Sequence, residues 1–111
     1  MIIHKTLANG RWFEFSRIEQ MANVGCDVDR AIRWRQKGDL ENSRKAFERA
    51  LELLQFTIAD PKNKNCLREL TRIKEAIGSY FFHDNIYGYT EKSLHKYFFN
   101  FNYMYALQKG K

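Results

Sequence analysis

The chain has 111 residues, 44% of them hydrophobic and 29% charged, with a formal net charge of +6. That length suffices for one hydrophobic core and not two, and the balance of apolar and charged residues excludes a disordered chain. No apolar run approaches the roughly 18 residues that span a bilayer, and Met1 to Thr6 lacks the basic-then-apolar order of a signal peptide, so a cytoplasmic location and no membrane partner are expected.

Met1 to Gly10 carries Ile2, Ile3 and Leu7 before an Asn9-Gly10 turn signal and reads as a short arm lying on the rest of the domain. From Trp12 to about Lys37, Phe15, Ile18, Met21, Gly25, Val28 and Ile32 recur at spacings of three and four, which predicts a first helix with those residues on one face. Glycine within that face disfavours the helix by about 1 kcal/mol relative to alanine. Close approach of a neighbouring helix would explain its presence at position 25. Asp27 and Arg30 fall on the polar side.

Gly38-Asp39 suits a tight turn, with glycine in the left-handed position that ends one helix and aspartate capping the next. A second helix, about 40–58, follows with Leu40, Ser43, Phe47, Leu51, Leu54 and Ile58 as its buried stripe. Asp60-Pro61 marks the start of a third, about 61–82, polar in its first turn and then carrying Leu70, Ile73 and Ile77 inward. His83 to Tyr89 breaks the period, Thr90 caps a fourth helix over about 91–108, and aromatic residues cover most of that helix's circumference.

Four helices with short connections predict an all-α, antiparallel up-down four-helix bundle in a single domain, with the arm at its start. A helix that is apolar nearly all round is either central or shared with a partner, and in so small a chain a partner is the simpler solution. A homodimer through Tyr97, Phe98, Phe101 and Tyr105 is therefore expected, with another protein partner as the variant of the same idea.

The bundle topology gathers Arg33, Trp34, Arg35 and Lys37 at the same end as the loop that holds His83, Asp84, Tyr87 and Tyr89. Cations with interleaved aromatics are the composition that grips phosphates and stacks bases, so this end is the candidate surface for nucleic acid or a nucleotide. The same cations also complement the dipole at the end of the first helix. His83 beside Asp84 has the makings of an oriented acid/base pair, whereas His95 reads as a helix-surface residue. Cys26 and Cys66 stand far apart and read as small packed side chains rather than a disulfide or zinc site. No Glu is followed three residues later by His, and phosphate-loop, nucleophile-elbow and zincin motifs are absent, so neither metal, cofactor nor enzymatic activity is expected.

Gly38 to Leu51 resembles the second half of a tetratricopeptide repeat, in which a Gly-Asp turn is followed by small, aromatic and alanine positions, here Ser43, Phe47 and Ala50. No second copy accompanies it, which makes the hairpin half of a closed bundle rather than a solenoid unit. The whole-chain pattern is similar to the HEPN class of small helical domains, partners of nucleotidyltransferases or RNases in prokaryotic defence and toxin systems. RNases of that class carry Arg followed after four to six residues by His. No histidine of this chain has Arg at that distance before it. What the resemblance implies is a non-catalytic member that binds rather than cleaves.

Overall fold

The computed structural model describes residues 10–82 and 88–109, apart from the side chains of 102, 105, 108 and 109. The N-terminal arm lies outside the described residues, and among those described there is no strand. Four helices, α1 (Arg17–Gln36), α2 (Leu40–Ala59), α3 (Leu67–Phe82) and α4 (Glu91–Lys109), are joined by short connections, and two 3-10 turns cover Arg11–Glu14 and Pro61–Cys66. The chain is an all-α four-helix bundle. Among the described residues no helix is long and apolar enough to cross a membrane.

Each helix begins and ends where its local chemistry dictates. Ser16 caps α1 by accepting from the Glu19 N–H, which puts the break after Phe15 and leaves Trp12 in a separate 3-10 turn rather than in the first helix. At the other end Gly38 adopts φ +83°, the Gly38 and Asp39 amides donate to the carbonyls of Arg35 and Trp34, and Asp39 accepts from the Asn42 N–H. This is a Schellman closure followed directly by an N-cap, and it turns the chain back on itself in three residues. The Asn42 backbone and side chain, both donating to Asp39, hold its carboxyl below the usual carboxylate range. Pro61 opens a 3-10 turn instead of the expected α-helical turn, so α3 proper starts six residues later. Thr90 and Ser93 cap α4 reciprocally, each side-chain oxygen accepting from the other's backbone N–H.

Consecutive helices are antiparallel. Ser43 donates to the Ala31 carbonyl (2.8 Å) near the α1–α2 turn, while at the far end Trp12 Nε1 donates to Thr57 Oγ1 (3.0 Å). On the other flank α4 runs against α1, with Gln36 donating to Glu91 (2.9 Å), His95 beside Asp29 (3.2 Å) and Phe98 on Gly25. Helix α3 packs on α2 through Phe81 and Phe47, and the ring closes where the Tyr97 hydroxyl donates to Glu69 of α3 (3.0 Å). Burial and the Glu69 carboxylate both push the Tyr97 phenol upward, so it stays a donor.

A buried polar network ties the end opposite the α1–α2 turn. Gln20 and Asn63 are wholly buried, and Asp60 nearly so. Gln20 Nε2 donates to the Trp12 carbonyl (3.1 Å) and to Asp60 Oδ2 (2.9 Å), while its carbonyl accepts from Asn63 Nδ2 (2.9 Å). Asn63 also donates to the Thr57 carbonyl (2.8 Å) and accepts from Arg17 Nε (2.9 Å). The Lys62 ammonium bonds Asp60 and the Phe13 carbonyl, clamping the first 3-10 turn against the second. Because every member has partners, burial costs little and fixes the packing of α1 against the α2–α3 connection.

Three expectations about side-chain exposure also change. Leu40, placed in the stripe of α2, is 68% exposed, because it stands at the first position of the helix, before α2 meets α1 at Ser43. Asp27, placed on the polar face, is buried, with Arg30 on one carboxylate oxygen (3.0 Å). Cys26 is exposed and Cys66 only partly covered, so Cys26 is not a packing residue.

Candidate functional site

The basic end is divided. Arg33, Trp34 and Lys37 line one hollow, while Arg35, next in sequence and turned about 100° round the helix from Trp34, leaves it for α3. Arg35 lies over the rings of Tyr80 (5.1 Å) and Phe81 (5.6 Å) at the end of α3, where the cation is spent on packing. Lys37 sits over the half-buried Trp34 ring (5.4 Å). Tyr89 is partly buried against the core. His83, Asp84 and Tyr87 lie outside the described residues.

Arg33 alone of the nominated hairpin residues faces α4, and there it meets a group that periodicity had not singled out. A groove of about 560 Å³ runs between the C-terminal half of α1 and the first turns of α4. Asp29, Ile32, Arg33 and Gln36 form one wall and Glu91, Lys92 and His95 the other. The α1 residues recur at i, i+3, i+4 and i+7, so they share a face.

Within the groove the acids are engaged and the cations are not. Asp29 Oδ1 lies 3.2 Å from His95 Nδ1, an arrangement that fixes the imidazole's orientation and leaves Nε2 for other contacts. Glu91 accepts from Gln36 (2.9 Å), and burial together with the nearby Glu91 charge pushes the Tyr80 phenol up. Arg33 and Lys92 make no ion pair among the described residues. A smaller hollow of about 270 Å³, lined by Arg30, Arg33, Trp34 and Lys37, adjoins on the far side of Arg33. Two cations without acidic partners among the described residues suit holding an anion. Among the described residues no group of three His, Cys, Asp or Glu side chains is placed to bind a metal ion.

The surface expected for self-association is also redistributed. Phe98 is fully buried on Gly25 inside its own chain, so it is a core residue and not an interface residue. Tyr97 and Phe101 are partly buried and pack on each other with ring centroids 5.6 Å apart. The Tyr105 side chain lies outside the described residues. Among the described side chains of α4, the large exposed apolar ones are instead Phe99 (51%), Tyr103 (56%), Met104 (46%) and Leu107 (53%), with the Phe99 and Tyr103 rings stacked.

No protein-family model, curated protein or solved structure matches the chain.

Proposed function

We propose that the chain is a cytoplasmic, non-enzymatic helical interaction domain that pairs with a second copy of itself through the outward face of α4. The observation that carries this reading is the row Phe99, Tyr103 and Leu107, spaced by four and flanked by Met104, about half exposed on a helix whose opposite face is sealed into the core. Rows spaced by four are the ridges that interdigitate when helices pack. Burying a large apolar side chain completely is worth about 1.5–3 kcal/mol, so four half-exposed ones form a substantial drive to associate.

A second copy fits this face on charge grounds. A chain with net charge +6 repels its own kind at long range, yet the segment from Tyr97 to Leu107 contains no charged residue. Two α4 helices can therefore meet along this row without setting like charges against each other, and a two-fold interface of this kind is self-complementary by construction.

The test is the mass in solution of the wild-type chain and of a Phe99→Glu/Leu107→Glu variant, with helicity followed by circular dichroism. The reading expects a dimer for the wild type and a fully helical monomer for the variant. A wild-type monomer at high protein concentration overturns it.

A further inference from the structure

We infer that the groove between α1 and α4 binds the terminal phosphate of a small phosphomonoester, gripped by Arg33 and Lys92. This inference does not depend on pairing through α4, because Arg33 stands on α1 and Lys92 lies about two turns before Phe99, with only the His95 ring of the groove packed on Phe99 (5.9 Å). The first reason is charge. Two cations from two different helices converge on one groove, and neither has an acidic partner among the described residues. A guanidinium with an ammonium offers both fork-like and point-charge donation to phosphate oxygens.

The second reason is the direction in which the groove's own acids are turned. Asp29 faces His95, and Glu91 accepts from Gln36, all four residues lining the same groove. The two carboxylates orient those neighbours and form no ion pair with Arg33 or Lys92. The third is size: about 560 Å³ falls in the range of small-molecule sites, with Ile32 supplying an apolar patch.

A single phosphate fits better than a nucleic-acid backbone. A polyanion needs cations that follow it, and here Asp29 and Glu91 interrupt the walls while Arg30 is paired with Asp27.

The experiment is calorimetric titration of the full chain with adenosine monophosphate, inorganic phosphate and adenosine, repeated on Arg33→Gln, Lys92→Gln and, as a control on α2, Arg49→Gln. All three positions are exposed, so the variants keep the fold. Both phosphate-bearing probes are expected to bind and adenosine not to. Either groove substitution is expected to weaken binding by roughly tenfold or more, and Arg49→Gln to leave it unchanged. Tighter binding of the nucleotide than of inorganic phosphate assigns an organic phosphomonoester, and equal binding assigns free phosphate. No heat from any probe up to about 10 mM overturns the inference, as does binding that survives the Arg33 and Lys92 substitutions. It is equally overturned if an oligonucleotide without a terminal phosphate binds more tightly than the monophosphate and loses affinity with Lys96→Gln instead.

Discussion

Phe98 of α4 lies directly on Gly25 of α1, its Cβ 2.7 Å from where a Cβ on residue 25 would stand. Because that contact involves the root of the Phe98 side chain, a methyl group at position 25 would force the two helix backbones apart rather than rotate a flexible tip. Gly25→Ala sets a gain of about 1 kcal/mol in helix propensity against an overpacking cost of about 1–3 kcal/mol. We expect a net loss of about 1 kcal/mol in urea unfolding. Gly78 of α3 is the internal control: a Cβ there meets nothing within 4 Å, and Gly78→Ala is expected to stabilise by about 0.5–1 kcal/mol. Equal effects at the two sites would contradict the close approach.

Asp60 sets the acid limit of the fold. Burial by itself pushes its carboxyl up, but hydrogen bonds from Lys62 and Gln20 outweigh this and hold it below its ordinary value of 3.8. A carboxyl depressed in the folded state contributes its full stability above the unfolded value. That contribution falls as pH drops below about 4 and is gone once the folded value is passed. Stability measured from pH 7 to pH 2 should fall steeply in that window for the wild type and less so for Asp60→Asn, which is expected to be about 2 kcal/mol less stable at neutral pH. A parallel pair of pH curves would mean that the carboxylate is not ionised in the network.

Trp12 connects the network to the core. It is almost fully buried, stacks edge-on to Phe15 and donates to Thr57, whose hydroxyl in turn donates to the Leu53 carbonyl. Trp12→Ala is expected to cost about 3–5 kcal/mol and Trp12→Phe about 1–3 kcal/mol, the smaller figure reflecting one lost hydrogen bond and a partial void. Tryptophan fluorescence and thermal unfolding of both variants check this, and a surface-like loss below about 0.5 kcal/mol for Trp12→Ala would contradict the packing.

The fold was legible because it rests on local rules. Period-four apolar residues, the Gly38-Asp39 turn, Asp60-Pro61 and the Thr90 cap each act within a turn or two, and together they fix four helices and their directions. The need for a close neighbour at Gly25 was legible too, but its partner was not. That missing partner accounts for both misplaced surfaces. With Phe98 on Gly25, antiparallel counting along α1 brings Asp29 opposite His95 and Gln36 opposite Glu91, and turns Phe99 and Tyr103 outward. Without it, a helix aromatic all round offered no way to choose its inner arc, and chain proximity suggested Arg35 as part of one patch with Arg33, Trp34 and Lys37 although it lies over Tyr80 and Phe81. The buried network was hidden for another reason: Gln20 and Asn63 are polar residues that periodicity assigns to the surface, and only the folded chain brings them to Asp60 and Thr57.

The most direct measurement on the outward face of α4 is sedimentation equilibrium of the wild-type chain beside Phe99→Glu/Leu107→Glu. With Phe98 holding one face of α4 inward, the wild type is expected to run at twice the chain mass of 13.3 kDa and the variant at that mass itself with unchanged helicity. A wild type that stays at 13.3 kDa at concentrations near 1 mM, where even a weak self-association registers, would contradict the role assigned to that face.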